Sequence, residues 1–326
     1  MSSQVGAGPW TVLALPPLPH EVLAELFSDP RMQLVTPPER TQEAVDALMP
    51  EADVVLGDWS PSLRLVDPGP RVCFVQQPSV GVDGIDVDAC TRAGVPVANC
   101  AGSNTVSVAE WCVGSTLALL RRTVEADTAV RRGDWPQTAL GGRELAGSKV
   151  GVVGLGPIGR RTAELFTALG CDVAYWSRRK HDDAPVAWAE LDDLVASADV
   201  LVLVIALGDS TRGLLSADLL RRLQPGALVV NAARGEVVDE SALVEALADG
   251  RVGGAALDVF TTEPLPAGSP LRAAPNVLLS PHAAGSTGQA AMRIVGQSSA
   301  NLQRVLDGHP VVDVVNGVAA HVRRRV

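Results

Sequence analysis

Lys149-Val150-Gly151-Val152-Val153-Gly154-Leu155-Gly156-Pro157-Ile158-Gly159 is the stretch on which the reading of this chain turns. A short apolar run, 150–153, opens onto Gly154-x-Gly156-x-x-Gly159. A segment of good helix formers, 160–168, follows and stops at Gly170. Strand, glycine turn and helix in that order are the setting a dinucleotide pyrophosphate requires. Gly154 permits the tight turn, Gly156 lets the backbone approach the phosphates, and Gly159 lets the helix lie close on the strand. The helix N-terminus adds a positive dipole end and free N–H groups. Pro157 and Ile158 complete the candidate cofactor contacts of this turn. With 31 glycines in the chain the triplet alone carries little weight. Its place between a strand and a helix, with a second strand at 172–176 close behind, carries the reading.

Outward from this turn, strand-like and helical segments alternate in both directions. Before it, strands are expected at 10–15, 32–36, 52–56, 72–76 and 95–99, with helices at 21–27, 41–48 and 87–93. After it, strands are expected at 200–207, 227–231, 254–259 and 277–280, with helices at 216–223, 240–249 and 288–306. Apolar strands alternating with helices imply parallel sheets covered on both faces, so the fold class is α/β with two doubly wound domains. The chain first crosses between them near 101–104. The helix that follows, to about Arg121, has Thr105 or Ser107 as candidate caps, and Ser107-x-x-Glu110 has capping-box spacing. It is apolar nearly all round (Val106, Val108, Trp111, Val113, Leu117, Leu119, Leu120), which calls for burial on more than one side, between domains or against another subunit. Residues 135–147 read as a loop.

Composition narrows the function. The chain has 326 residues, enough for two domains with their own cores, and its 47% apolar and 20% charged residues are those of a globular protein. A formal net charge of −10 argues against a sequence-independent nucleic-acid surface or an anionic-membrane surface. Of the two basic runs, Arg178-Arg179-Lys180 follows a strand, whereas Arg323-Arg324-Arg325 reads as a solvated chain end. No signal peptide is read at the N-terminus and no apolar span is long enough for a bilayer. The five cysteines are odd in number and lack a C-x-x-C pair or histidine partners, so reduced thiols in a cytoplasmic protein, with no metal site, are expected.

Ligands of open parallel sheets sit beyond the carboxyl ends of the strands. Three of those ends carry residues suited to one reaction: Arg234, Glu263 and His282. An arginine can hold a carboxylate through two parallel N–H···O bonds and polarise a neighbouring carbonyl. A histidine exchanges one proton near neutral pH, and a nearby carboxylate raises its pKa and fixes its tautomer. With a nicotinamide, this set can interconvert a 2-oxo acid and a 2-hydroxy acid. Each residue alone has a plainer explanation, a surface charge or a loop residue; their joint placement at strand ends favours the chemistry.

Several longer motifs now fall in order. They are Ser79-Val80-Gly81-Val82-Asp83-Gly84-Ile85-Asp86, the run from Asn104 to Glu110, the glycine turn, and Ser210-Thr211-Arg212-Gly213-Leu214. Then come Asn231-Ala232-Ala233-Arg234 through Asp239, Ala255 to Asp258 and Phe260 with Glu263-Pro264-Leu265, and Pro281-His282-Ala283-Ala284-Gly285. With these the chain resembles the D-isomer-specific 2-hydroxyacid dehydrogenases, of glyoxylate/hydroxypyruvate reductase type, over nearly its whole length. The resemblance implies a Rossmann cofactor domain, 101–285, inserted in a flavodoxin-like substrate domain, 1–100 and 286–326. It implies that Arg234 binds substrate, that His282 is the acid/base and that Glu263 is its partner. Backbone N–H groups of Val80 and Gly81 would hold the substrate carboxylate, and Asp258 would meet the nicotinamide carboxamide. Ala232, Ala233, His282 and Gly285 would also line the cofactor, and the helix from Thr105 would lie in a homodimer interface.

Two departures from the family pattern matter. Where many members place an Asp for the ribose hydroxyls of NAD, this chain has Ser177, followed by Arg178, Arg179 and Lys180. Serine does not repel a 2′-phosphate and arginines can grip one, so NADP(H) is favoured, with NAD(H) the alternative. Val204-Ile205-Ala206 replaces the family's usual His-Leu-Pro. Trp59 and the loop 79–82 are expected to border a small 2-oxo or 2-hydroxy acid whose identity is left open. Phosphoglycerate is disfavoured because no long regulatory extension follows residue 326. Two further readings stand beside the reductase: a nucleotide-sensing corepressor-like binding protein, and a phosphite- or formate-type dehydrogenase. Formate enzymes of the family usually carry Gln where Glu263 stands.

Overall fold

A computed structural model describes residues 8–60 and 62–325. In chain order the first elements are β1 (Trp10–Ala14), α1 (His20–Leu26), β2 (Met32–Val35), α2 (Gln42–Leu48), β3 (Val54–Leu56), β4 (Phe74–Gln76), α3 (Val87–Arg92) and β5 (Val97–Ala98). Next come α4 (Thr105–Leu120), α5 (Thr123–Arg131), β6 (Lys149–Val153), α6 (Pro157–Ala168), β7 (Asp172–Trp176), β8 (Ala187–Trp188), α7 (Leu191–Ser197) and β9 (Val200–Leu203). The series ends with α8 (Ala217–Arg222), β10 (Ala227–Asn231), α9 (Glu240–Ala248), β11 (Val252–Leu257), β12 (Val277–Leu279) and α10 (Gly288–Leu306). Contacts divide the chain into two compact units. One runs to Ser103 and resumes at Gly288; the other is Asn104–Thr287.

The first unit is built on a five-stranded parallel sheet of order β2-β1-β3-β4-β5. Successive residues of β1 and Leu15 just past it feed opposite faces: Leu13 and Leu15 join one apolar cluster, Val12 and Ala14 the other. Burial on both faces is why these strands read as continuous apolar runs. Leu302 and Val305 of α10 enter the second cluster, together with Val311 and Val322 of the segment that follows. Asn301 adds a buried bond from Nδ2 to Gln76 Oε1, 2.8 Å. The basic tail is not a solvated end throughout. Arg324 donates to the fully buried carboxylate of Asp53 at 2.7 Å and lies over the Trp10 ring, its side chain 13% exposed. A buried carboxylate needs cationic partners, and Arg71, at 2.9 Å, supplies the second.

The second unit has a seven-stranded parallel sheet of order β12-β11-β10-β9-β6-β7-β8. Its strand order reverses between β6 and β9, so their carboxyl ends form the crevice where such sheets take ligands. In β9, Leu201 and Leu203 face one cluster and Val200 and Val202 the other. The strand is shorter than the expected 200–207. After Leu203 the chain turns under the glycine loop, and Thr211 Oγ1 donates to the carbonyl of Ala206, 2.8 Å. The two-residue strand β8 and the helices α5 and α7 were not expected from the sequence. Neither candidate cap of α4 serves: Asn104 is the N-cap, without a side-chain bond, and Ser107 Oγ pairs with Thr287 Oγ1 at 2.8 Å. One face of α4 is buried through Val108, Cys112, Leu119 and Leu120, while Val106 and Leu117 stay exposed. All five cysteines are buried and unpaired. Among the described residues, no helix is long and apolar enough to cross a membrane and no cluster of three or more His, Cys, Asp or Glu is arranged for a metal.

Candidate functional site

The carboxyl edge of the seven-stranded sheet gathers the chemistry-bearing residues of the second unit. At its centre the turn after β6 behaves as the glycine pattern requires. Gly154 has φ +104°, and a Cβ there would press on Val204 O at 2.8 Å and Ile205 Cα at 2.9 Å. A Cβ at Gly159 would overlap the carbonyl of Gly154, so α6 can approach β6 this closely only through glycine. Gly156, the N-cap of α6, has open space before it, and Pro157 occupies the first helical position, where its missing N–H costs nothing. Ile158 turns its side chain toward the core beneath. The turn is thus an open cradle of backbone at a helix N-terminus, a fit for a dinucleotide pyrophosphate.

Next to it, Ser177 Oγ donates to the carbonyl of Arg179 at 2.6 Å, closing a turn that leaves the side chains of Arg178 and Arg179 exposed. Arg178 Nη1 reaches Ser210 Oγ at 3.5 Å, a marginal contact. Asp183 is held by Arg160 of α6, whose guanidinium meets its Oδ1 at 2.7 Å and its carbonyl at 3.0 Å. That bond keeps the Asp183 carboxyl below its usual range.

Three further strand ends bring Arg234, Glu263 and His282 into one neighbourhood. After β10, the buried Asn231 folds the turn: Oδ1 accepts from Ala233 N at 3.0 Å, and Nδ2 donates to Arg234 O at 3.0 Å. Ala233 puts its methyl in the core and has both backbone polar atoms engaged, so of the two alanines Ala232 is the more exposed. Arg234 Nη1 donates to the carbonyl of Ala233 at 2.6 Å. After β11, Glu263 Oε1 accepts from Phe260 N at 3.0 Å, and Oε2 meets His282 Nδ1 at 2.8 Å. Burial pushes the Glu263 carboxyl up, but the bonds from His282 and Phe260 and the nearby charges of His282 and Arg234 prevail and lower it. The same bond raises the His282 pKa, opposed by burial and Arg234 and aided by the charges of Glu263 and Asp258. The ring is about half exposed, and with Nδ1 tied to Glu263 its Nε2 is left for chemistry.

Asp258 explains the odd backbone of His282, whose φ of +54° is rare for a residue with a Cβ. The loop 280–284 wraps this nearly fully buried carboxylate. Oδ1 accepts from Ser280 Oγ and from Ala283 N (2.7 Å), Oδ2 from Ala284 N (2.9 Å), and the Asp258 carbonyl from His282 N (2.8 Å). Sequence reasoning assigned Asp258 to the cofactor and missed this bracing, which joins residues more than twenty positions apart. Asn231 was quoted within a motif without a role. Gly285, also a candidate, packs against Asn104, whose Nδ2 would lie 2.9 Å from an added Cβ. Val80 and Gly81 belong to the other unit. Their loop turns its carbonyls inward, Ser79 O to Cys100 N (2.9 Å), Val80 O to Asn99 Nδ2 (2.7 Å) and Gly81 O to Ser79 Oγ (2.7 Å). Among the described residues, none accepts a hydrogen bond from the N–H of Val80 or Gly81.

Residues 113–284 match the D-isomer specific 2-hydroxyacid dehydrogenase NAD binding domain. A glyoxylate reductase of Aeropyrum pernix is 39% identical over 271 residues, 80% of this chain and 81% of that protein. The solved NADPH-dependent glyoxylate/hydroxypyruvate reductase of Sinorhizobium meliloti, in complex with NADP and malonate, superposes with a TM-score of 0.85 at 27% identity, covering 98% of this chain and 100% of that one. The NAD-dependent formate dehydrogenase of Staphylococcus aureus, in complex with NAD, gives 0.83 at 27% identity over 94% and 98%. The chain belongs to the D-isomer-specific 2-hydroxyacid dehydrogenase family, and its second unit is a nicotinamide-dinucleotide-binding domain.

Proposed function

We propose that this protein is an NAD(P)H-dependent reductase of a small 2-oxo acid, forming the D-2-hydroxy acid and catalysing the reverse reaction. The observation that carries it is the Glu263–His282 bond at the carboxyl edge that also holds the glycine cradle, with the charge of Arg234 felt by both. The bound nicotinamide supplies or accepts the hydride. His282, protonated and held at Nδ1 by Glu263, gives the Nε2 proton to the carbonyl oxygen as it becomes a hydroxyl. In oxidation the neutral ring takes that proton back. Arg234 orients the substrate carboxylate and stabilises negative charge developing on the oxygen. Asp258 braces the loop that aims His282, and the free N–H groups of Val80 and Gly81 are suited to a carboxylate.

Glyoxylate and hydroxypyruvate are the first substrates to try, on the strength of the relatives' activities. Residues 1–100 with 286–326 are assigned the substrate side and 101–285 the cofactor side. NADPH is the favoured cofactor, because Arg178 and Arg179 are exposed beyond Ser177 while Asp183 is engaged by Arg160. A homodimer through α4 is supported by its exposed Val106 and Leu117, and a cytoplasmic location by five unpaired thiols. Glyoxylate reductases among the relatives favour catalysis over a corepressor-like binding role. The carboxylate at position 263 favours oxo-acid chemistry over formate oxidation. Replacing His282 by Ala should lower turnover about 10²–10⁴-fold with NADPH binding retained. Unchanged turnover sinks the assignment.

A further inference from the structure

The five-stranded sheet of the first unit reverses its strand order between β1 and β3, the place where an open parallel sheet has its ligand crevice. Here one side chain spans it. Arg40 precedes Thr41, the N-cap of α2. It donates from Nη1 to the carbonyl of Leu15, just past β1, and from Nη2 to Asp58 Oδ2, just past β3, both at 2.7 Å. The Asp58 side chain has no exposed surface. Its carboxylate also accepts from Ser60 N (2.9 Å), the hydroxyls of Ser60 (2.9 Å) and Ser62 (3.1 Å), and Leu63 N (3.2 Å). Its carbonyl accepts from Gln77 Nε2 at 2.8 Å, and the same Nε2 lies 2.9 Å from Ser79 Oγ.

One residue therefore does two things. Through its carboxylate, Asp58 shapes the loop after β3 that carries the partly exposed Trp59. Through its carbonyl and Gln77, it ties that loop to the one after β4, whose Val80 and Gly81 N–H groups have no acceptor among the described residues. The arrangement is not that of a surface salt bridge. A carboxylate with five donors, closed off from solvent, has one geometry, and removing a donor leaves an uncompensated buried charge. The stiffness is placed at the edge of the sheet, not in its core.

We infer that Arg40 and Asp58 are positioning residues for substrate, an inference that rests on the oxo-acid reading above. They act by fixing the Val80–Gly81 N–H groups and Trp59 relative to each other. The test uses the full-length protein with NADPH and paired small and bulky substrates, glyoxylate and phenylpyruvate, in Arg40→Gln and Asp58→Asn. In both variants KM is expected to rise about tenfold with kcat within about twofold, because binding geometry is lost while the proton donor is untouched. The ratio of the two KM values should change, the NADPH dissociation constant should not, and Arg40→Lys should restore part of the loss. The double variant should be no worse than Asp58→Asn, since both act on one device. If Asp58→Asn does not fold, Arg40→Gln, changed at the half-exposed end, decides alone. Folded variants with wild-type KM for both substrates, or a lower melting temperature with unchanged kinetics, overturn the positioning role and leave the oxo-acid reading intact. A wild type that turns over no oxo acid overturns both.

Discussion

Glu263→Gln is the sharpest probe of the site, because the surroundings of this carboxylate make an amide a poor substitute. Phe260 N–H points at Oε1 from 3.0 Å and His282 Nδ1 at Oε2 from 2.8 Å. Two donors face two oxygens. A glutamine has one oxygen and must set its NH₂ against a donor at the other position. If it faces His282, the ring can keep Nδ1 only as an acceptor, which excludes the imidazolium. If it faces Phe260, the charge-assisted bond to His282 becomes a neutral one. Neutral bonds contribute about 1 kcal/mol less than charged ones, and an opposed donor pair costs about 1–3 kcal/mol. With 47% of the His282 side chain exposed, solvent screening favours the low end. A loss of about 1–2 kcal/mol in preference for the protonated ring is expected, roughly 5- to 30-fold in its population. The sign follows from chemistry. In the proposed mechanism reduction needs protonated His282, and the wild-type pKa is raised, first by the Glu263 bond. Activity is therefore present below that pKa and is lost as pH rises through it; in Glu263→Gln the loss sets in at lower pH. Above both transitions kcat/KM for glyoxylate should be roughly 5- to 30-fold below wild type, and below both the curves should converge. In the oxidation direction, activity should appear at lower pH in the variant. The assay is NADPH consumption across a pH series. Superimposable profiles, or a ratio independent of pH, would refute the role of Glu263 as the group that sets His282.

Three other changes test separate parts of the structure. Arg178→Ala/Arg179→Ala should weaken NADPH binding roughly ten- to a hundredfold and leave NADH within about twofold, read from paired dissociation constants; equal losses for both argue that the arginines are only a charged strand end. Arg324→Ala takes one of two guanidinium partners from buried Asp53 and should destabilise by about 1–3 kcal/mol in urea unfolding. Burial raises the Asp53 carboxyl but the bonds from Arg324, Thr11 and Arg71 prevail and lower it, so its stabilisation is present above the ordinary carboxylate value and lost as pH falls through the folded one; the gap between variant and wild type should close in acid. Gly235→Ala would drive a Cβ into the backbone of Phe260 and Thr261, with an expected cost of about 1–3 kcal/mol and a disproportionate loss of turnover, since Glu263 and Arg234 flank the clash. Wild-type stability and turnover in that variant would show the turn to be slack.

The fold was legible because its strands are buried on both faces and advertise themselves as apolar runs, and because the strand–glycine–helix order admits few alternatives. The candidate triad was legible by topology. Once carboxyl ends are where ligands sit, Arg234, Glu263 and His282 are selected by position, and Glu263 and His282 prove to be hydrogen-bonded. What escaped has no local signal. β8 is two residues pairing at the edge of the sheet, too short for any period. The run 200–207 stays apolar past Leu203 because its end packs under a turn, so hydropathy does not register where pairing stops. Arg324 looked solvated because its partner, Asp53, lies 271 positions away. Ser107 has capping spacing, but its hydroxyl is taken by Thr287, 180 positions on.

The same limit governs the proposed cofactor preference, and there the structure adds a reason that the basic run alone does not. Ser177-Arg178-Arg179-Lys180 places cations after β7, yet Asp182 and Asp183 follow at once, and either carboxylate could offset them at a ribose. Arg160, the residue after the last glycine of the cradle, reaches across to the carboxylate and the carbonyl of Asp183, so this acid is neutralised by a cation from the helix that starts the site. The Ser177 hydroxyl is spent on the carbonyl of Arg179, which closes the turn and leaves the two guanidiniums on the exposed side. Lys180 is drawn instead toward the face of Trp188, 5.8 Å from its ring centre. Of the three cations, Arg178 and Arg179 thus remain without a close acidic or aromatic partner among the described residues, and one of the two carboxylates, Asp183, is already paired. A 2′-phosphate would complete this balance, whereas a ribose diol would find Asp183 engaged.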